Sequence, residues 1–269
     1  MPKVSVIMPV YNCEEFVKHS IRSVQNQTFK DWELIVINDA SLDNSLQEIM
    51  EFAKRDKRIK VINMEKNHGV GICRNLGMSY AKGRYIAFLD SDDLWSKKKL
   101  EKQLAFMEEK GIAMSHTSYG FINDEGRILP TGQVCVDDCV DRNKYMKTTQ
   151  VGMSTVMVDK TKVPDLKFPE DRELCEDART WMVQLRKGEK FYGLNEVLLL
   201  YRVRSHQLSR NKLKMAKNTF KRYLDEPHMP LYRRLYYFSQ YAYHGAYKRL
   251  VKNKLDVSSL AREFNCNSH

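Results

Sequence analysis

The first 110 residues predict an α/β domain, a mostly parallel sheet flanked by helices. Three observations carry that prediction. Residues 32–37 (WELIVI) and 85–89 (YIAFL) are apolar runs of strand length, as expected for strands buried on both faces. Segments with apolar residues at helical spacing alternate with such runs, which argues for βαβ units. Polar and acidic clusters stand where the runs end, at the edge where open α/β sheets bind ligands.

In order, residues 3–10 alternate and end in Pro, a strand. Residues 14–25 carry Phe16, Val17, Ile21 and Val24 on one helical face. Strand 32–37 follows, then a helix over 41–56 lined by Leu46, Ile49, Met50 and Ala53. A short strand at 60–64, a helix at 71–81, the strand at 85–89 and a helix from Asp93 to about Lys110 complete this half. The second block is sparser, with strands expected at 112–121, 154–158 and 197–203 and a helix at 177–186. From Lys214 the tail reads as helical, broken in two by Pro227 and Pro230.

Composition narrows the class. The chain has 269 residues, 42% of them hydrophobic and 10% aromatic, enough to bury a core and against wholesale disorder. No apolar run approaches the ~20 residues that span a bilayer. The run at the start is too short for a signal peptide and is broken by Pro9. Cysteines at 13, 73, 135, 139, 175 and 266 form no Cys-x-x-Cys pair, so a reduced, cytoplasmic chain is expected. The net charge is +11, and residues 202–254 hold fourteen Lys or Arg against two acids, Asp225 and Glu226. A basic tail on a near-neutral body points to an acidic partner or to a solvated helical face.

The most informative motif is Asp90-Ser91-Asp92-Asp93. Like charges crowded at a strand end call for a neutralising cation, and a hard divalent ion there would also hold a diphosphate. Asp93 can instead N-cap the next helix, which leaves Asp90 and Asp92 to explain. Asp39 opens the loop after the second strand and can accept a ligand N–H; Ser41 and Asp43 read better as turn and cap. His68-Gly69-Val70-Gly71-Ile72-Cys73-Arg74 looks like a phosphate loop. It fails the dinucleotide rule because Arg74 takes the last Gly position and because it follows the third strand. Arg74 is a candidate contact to a base or phosphate.

Four segments in this order, Pro9-Val10-Tyr11-Asn12, Asn38 to Asp43, His68 to Arg74 and Asp90 to Asp93, resemble the family 2 glycosyltransferases of the GT-A fold over residues 3–210. The resemblance implies a Rossmann-like nucleotide-diphospho-sugar transferase fold and an inverting, metal-dependent enzyme using Mn2+ or Mg2+. The donor it implies is a nucleotide-diphospho-sugar, very often a UDP-sugar. By the same match Pro9 and Tyr11 flank the base, Asp39 accepts the uracil N–H, Arg74 neighbours the base, Asp90 faces the ribose and Asp92 the metal. Glu176-Asp177 resembles the family's acceptor-side pair, with Asp177 the general base; helix capping is the bland alternative. In the closing motif, Tyr201 to Ser209, many members have His where Arg204 stands, and His206 follows two residues later. Either His206 binds the metal or Arg204 contacts the diphosphate.

The expected organisation is a catalytic domain over 1–213, divided into a nucleotide-sugar half (1–110) and an acceptor half (111–213), followed by a basic, Tyr-rich helical extension over 214–269. In the extension Tyr232, Tyr236, Tyr243 and Tyr247 recur at helical spacing beside Leu231, Leu235 and Phe238. That pattern suits an anionic membrane interface on the inner face of the cytoplasmic membrane, or docking on the catalytic domain. The acceptor is expected to be a glycan, free or polyprenyl-diphosphate-linked, in surface polysaccharide biosynthesis. Three other classes compete: a catalytically silent binding protein of the same fold, a nucleic-acid binder and a nucleotidyltransferase. Intact carboxylates oppose the first and the lack of a nucleic-acid module the second. The third would want a Gly-rich, basic loop where Pro9 to Asn12 stand.

Overall fold

The structure is a computed structural model that describes residues 1–130, 132–148, 150–171, 175–204, 212–224, 226–227, 229–250, 260 and 263–264. Strand β1 (Val4–Val10) pairs in parallel with β2 (Trp32–Asn38) on one side and β4 (Tyr85–Phe88) on the other, and β3 (Ile59–Asn63) extends the sheet beyond β2. The connecting helices are α1 (Val17–Gln25), α2 (Ser45–Arg55) and α3 (Val70–Tyr80). Beyond β4 come β8 (Met157–Asp159), β6 (Met114–Ile122), β9 (Phe191–Arg202) and β5 (Leu94–Trp95), with β7 (Cys139–Val140) also on β9. Because β8 is antiparallel to both β4 and β6, and β9 is parallel to β6, the C-terminal ends of β1, β2, β4, β6 and β9 share one edge.

The alternation of side chains divides the core between the two faces of the sheet. Val4, Val6, Met8 and Val10 pack with Val17, Ile21, Val24 and Leu104 on one side. Ile7, Ile35, Ile37 and Phe88 pack with Cys73, Trp181 and Phe191 on the other. Covered on both faces, β2 is buried throughout. Its Glu33 is tolerated because the carboxylate accepts hydrogen bonds from Ser5 Oγ, Lys60 Nζ and the Lys82 amide.

Several boundaries differ from the expected ones, each for a tertiary reason. The helix expected from Asp93 starts at Lys99, as α4 (Lys99–Lys110), because Leu94 and Trp95 are taken into the sheet opposite Leu200 and Leu199. Asp93 is therefore not its cap. Helix α2 starts at Ser45 rather than 41 because the preceding loop is spent on β1's loop: Asn12 N–H donates to Ser41 Oγ and Glu14 N–H to Asp43. Helix α1 starts at Val17 rather than 14, within that same cross-linked region. Strand β9 extends back to Phe191, where a Cβ on Gly193 would stand 2.2 Å from the Asp137 carbonyl oxygen; only glycine lets that chain pass. Helix α5 (Arg142–Lys147), capped by Asp141 accepting from the Lys144 amide, was not foreseen, nor was the 3-10 turn at Met153–Thr155. Helix α6 (Glu176–Arg186) completes this half.

The tail forms α7 (Lys212–Leu224) and α8 (Leu231–Leu250), with Pro227 and Pro230 between them. The residues that dock are not Leu231 and Leu235, which are 59% and 47% exposed. They are Tyr223 and Tyr237, whose hydroxyls donate to the Met146 carbonyl and, at 2.7 Å, to Asn143, with Phe238 and Tyr241 packed alongside. Glu226 pairs with Arg142 at 2.7 Å. Further along, Leu260 and Phe264 join Leu94, Ile122, Ile128 and Leu200 in a small cluster over β5. Among the described residues no helix is long and apolar enough to cross a membrane, and Cys13, Cys73, Cys135, Cys139 and Cys175 are free.

Helix α3 lies so close to the sheet that a Cβ on Gly77 would stand 2.6 Å from Ile7 Cγ2 and 2.8 Å from Ile37 Cδ1. Gly77→Ala should therefore cost about 1–3 kcal/mol by overpacking, read as a lower midpoint in urea unfolding.

Candidate active site

Among the described residues, three non-glycine residues adopt positive φ: Asn12 (48°), Ala40 (56°) and Cys175 (66°). Each adjoins a candidate site residue at the shared strand edge: Tyr11, Asp39 and Glu176. Such strain persists only where the surroundings enforce it. Here the enforcement comes from bonds between loops: Leu42 N–H donates to Asn12 Oδ1 at 2.8 Å and Asn44 N–H to Glu14 at 2.8 Å.

Tyr11 presents its ring 47% exposed just past β1, whereas Pro9 is buried within β1 opposite Ile37. Asp39 is 3% exposed, and its two carboxylate oxygens accept from the His68 and Gly69 amides, each at 2.8 Å. The glycine-rich segment thus serves the protein itself. Gly69 takes φ 96° to enter α3, and a Cβ on Gly71 would stand 2.2 Å from the Pro169 carbonyl oxygen. Asn75 completes the contact by bonding both the amide and the carbonyl of Phe168.

The acidic turn after β4 is held through its backbone. Ser20 Oγ donates to the Ser91 and Asp93 carbonyls at 2.7 and 2.8 Å, Arg202 Nε donates to the Asp92 carbonyl at 2.8 Å, and Asp90 N–H donates to Ser154 Oγ. Asp93 is buried, accepts from Ser154 Oγ at 2.6 Å and from the Arg202 amide at 2.9 Å, and so fastens β9 to the turn. Burial and the neighbouring Asp92 and Asp90 raise its pKa well above the carboxylate range. Fixing the backbone this way leaves the side chains of Asp90 and Asp92 partly exposed. Asp92 is pushed up to about 6 by burial and by the charge of Asp90, opposed by Arg204, whose Nη1 lies 3.5 Å away. Arg202, Ser20 and Ser154 were not singled out in the sequence; no local pattern marks a residue whose role is to bond a distant backbone.

Arg74 is 3% exposed and gives Nη2 to Asp90 at 2.8 Å and Nη1 to Glu176 at 2.6 Å. It thereby joins the acidic turn to the start of α6. Next to Glu176, Asp177 accepts from the Ala178 amide at 2.6 Å. Burial first, then Glu176, push its carboxyl up to about 6, while Arg74 draws it down. His206 lies outside the described residues. Among those residues no group of three or more His, Cys, Asp or Glu side chains could hold a metal ion. The two partly exposed carboxylates, Asp90 and Asp92, are hard oxygen donors of the kind Mg2+ and Mn2+ take, with a ligand's own oxygens making up the rest.

Removing Arg74 would strand two carboxylates. Arg74→Ala should cost about 3–5 kcal/mol in urea unfolding, and Arg74→Lys should recover only part of it, because an ammonium cannot present the same two-pronged fork.

Comparison with known proteins shows the family. The family model "Glycosyl transferase family 2" matches residues 5–154. The chain is 37% identical over 249 residues to the putative teichuronic acid biosynthesis glycosyltransferase TuaG of Bacillus subtilis, covering 93% of this chain and 98% of that one. It is 35% identical over 253 residues to WfgD of Escherichia coli, a UDP-Glc:alpha-D-GlcNAc-diphosphoundecaprenol beta-1,3-glucosyltransferase, covering 93% and 96%. Among solved structures, S. aureus TarS 1-349 in complex with UDP superposes with TM-score 0.64 at 22% identity, over 89% of this chain and 70% of that one. The mannosyltransferase PcManGT of Pyrobaculum calidifontis, in complex with GDP-Man and Mn2+, superposes with TM-score 0.66 at 15% identity, over 97% and 79%. Matched by the family model over more than half its length and by relatives aligned from end to end, the chain belongs to glycosyl transferase family 2 and is a glycosyltransferase of the GT-A fold.

Proposed function

We propose that this glycosyltransferase moves a sugar, with inversion, from a UDP-sugar to a hydroxyl of a polyprenyl-diphosphate-linked glycan in surface polysaccharide assembly. The observation that carries the proposal is the joining, through Arg74, of the acidic turn at Asp90 to the Glu176-Asp177 pair. Relatives named for teichuronic acid biosynthesis and for a UDP-Glc donor with a lipid-linked acceptor support the substrate classes. In this reading residues 1–213 are the catalytic domain, 1–110 its donor half and 111–213 its acceptor half, and 214–269 an extension.

The Tyr11 ring stacks on the base from the rim beyond β1, with Pro9 beneath as backbone support. Each Asp39 oxygen holds one amide and keeps a lone pair, enough to accept the uracil N3–H. Asp90 faces the ribose. Asp92 and Asp90 would hold a divalent cation, Mn2+ or Mg2+, which when bound neutralises the diphosphate leaving group. Arg204 adds a positive charge beside Asp92, and His206 is the alternative, as a metal ligand. Asp177 takes the acceptor hydroxyl proton as that oxygen bonds to the anomeric carbon; the bond from that carbon to the diphosphate oxygen breaks, and UDP leaves with the electron pair. One carboxylate suffices, since UDP departs without protonation. Glu176 and Arg74 set the charge around Asp177.

Three predictions test this. Asp177→Asn should lower turnover of UDP-glucose by ~10^2–10^4-fold with UDP affinity by calorimetry unchanged. Asp92→Ala should remove the part of UDP affinity that Mn2+ contributes. As general base Asp177 must be ionised and is raised to about 6, so activity should fall as pH drops through 6 rather than 4. An acid limb near 4, or no UDP binding with Mn2+ present, would count against the assignment.

The tail carries the membrane reading. Leu231, Tyr232, Leu235 and Tyr236 are exposed on α8 beside the exposed Arg233, and Lys147 lies 5.9 Å from the Tyr236 ring. This face suits an anionic lipid surface on the cytoplasmic side of the membrane. The protein should sediment with phosphatidylglycerol vesicles, less so as salt rises, and not with phosphatidylcholine alone. Leu235→Glu should abolish sedimentation without changing the unfolding midpoint.

A further inference from the structure

The acceptor half carries an aromatic recess whose rings the mechanism above does not use. In the parallel pair of β6 and β9, Tyr119 stands opposite Leu199 and Phe121 opposite Tyr201. With a two-residue repeat on each strand, all four lie on one face, at the C-terminal edge shared with the acidic turn. The three rings pack edge to face or tilted, with centroids 5.6 Å apart for Tyr119 and Phe121, 6.1 Å for Phe121 and Tyr201, and 6.5 Å for Tyr119 and Tyr201. Together with Gly152, Met153, Ser154, Asp90 and Asp93 they line a recess of about 90 Å³. Gly152 borders the recess beside the Tyr119 ring, which lies 3.7 Å from where a Cβ would sit.

The chemistry of the lining selects its ligand class. At about 90 Å³ the recess is far smaller than the ~300 Å³ at which whole-ligand clefts begin, so it takes one ring of a larger ligand. A lipid chain would gain nothing from a carboxylate in the wall. The nucleobase is already assigned above to Tyr11 and Asp39. A pyranose fits both halves of the lining: its axial C–H groups carry partial positive charge toward the negative faces of aromatic rings, and its equatorial hydroxyls donate to a carboxylate. Asp90, 32% exposed and ion-paired to Arg74, is that carboxylate, and it belongs to both the recess and the turn assigned to the donor.

We infer that the recess walled by Tyr119, Phe121 and Tyr201 is the subsite for the donor's transferred pyranose, with these rings and Asp90 determining which sugar is accepted. The inference rests on the UDP-sugar reading above. UDP alone ends before the recess; UDP-glucose and UDP-N-acetylglucosamine enter it.

The test is calorimetric titration, with Mn2+, of UDP, UDP-glucose and UDP-N-acetylglucosamine into the full chain, its Phe121→Ala and Phe121→Leu variants, and the Phe121→Ala/Tyr201→Ala double variant. Phe121→Leu keeps an apolar side chain and removes only the aromatic face. The expected result is an unchanged UDP affinity in every variant, which also reports an intact fold. UDP-sugar affinity should weaken relative to UDP by ~3–10-fold per ring removed, in Phe121→Leu as well as Phe121→Ala. Unchanged ratios of UDP-sugar to UDP affinity in all variants overturn the subsite while leaving the donor reading standing. Weakened binding of a synthetic N-acetylglucosamine-diphospho-lipid, with UDP-sugar binding unchanged, assigns the recess to the acceptor and overturns it as a donor subsite. Failure of the unsubstituted protein to bind UDP overturns the donor reading and the subsite together.

Discussion

One buried guanidinium holds the acidic edge of this protein together. Five carboxylates, Asp90, Asp92, Asp93, Glu176 and Asp177, come from two distant stretches of chain and meet at the end of the sheet. Without compensation their mutual repulsion would open the site. Arg74 sits between Asp90 and Glu176 at bonding distance from both and is almost wholly removed from solvent. A charge so buried is stable only because it is paired twice, and the pairing is directional: a two-pronged planar cation fixes the spacing of the groups it joins. Arg202 does the complementary work on the other flank through backbone bonds to the acidic turn, and Arg204 supplies a further positive charge beside Asp92.

That arrangement depends on the topology of the sheet. The short antiparallel β8 between β4 and β6 restores the direction of β4 in β6 and β9, so strand ends from both halves of the chain open on one edge. Residues separated by about a hundred positions, Arg74 and Glu176 or Asp93 and Arg202, are thereby brought to hydrogen-bond distance. The glycines follow the same logic. Gly71 and Gly77 let α3 approach both the sheet and the segment at 168–169, which brings Arg74 to the depth where it can bridge the two halves.

Much of the first half of the chain was legible because its signals are local. Buried parallel strands announce themselves as apolar runs, helices as periodic faces, and a carboxylate cluster at a strand end is unusual enough to mark a site. The misreadings came where long-range pairing overrode local preference. Residues 94–95 look like the approach to a helix, yet they form a strand because β9 offers open backbone partners. Asp93 looks like a helix cap, yet it is the buried fastener between the turn and β9. In the tail, the helical spacing of Tyr and Leu was evident, but which line faces the body was decided by partners on α5, Asn143 and Met146, that no periodicity names.

By itself the amino-acid sequence determined the α/β class, the order of the elements in the first half, the family resemblance and the identity of the acidic residues at the strand ends. These are properties of short windows, set by periodicity, turn chemistry and residue type. Only the tertiary structure decided that Arg74 serves the protein's own carboxylates, that Asp93 and Arg202 lock the acidic turn, and that Tyr119, Phe121 and Tyr201 converge on one face beside Asp90. The physical reason is the same in each case. These roles are contacts between segments far apart in the chain, and a contact of that kind exists only once strand register and helix packing have fixed where each side chain points.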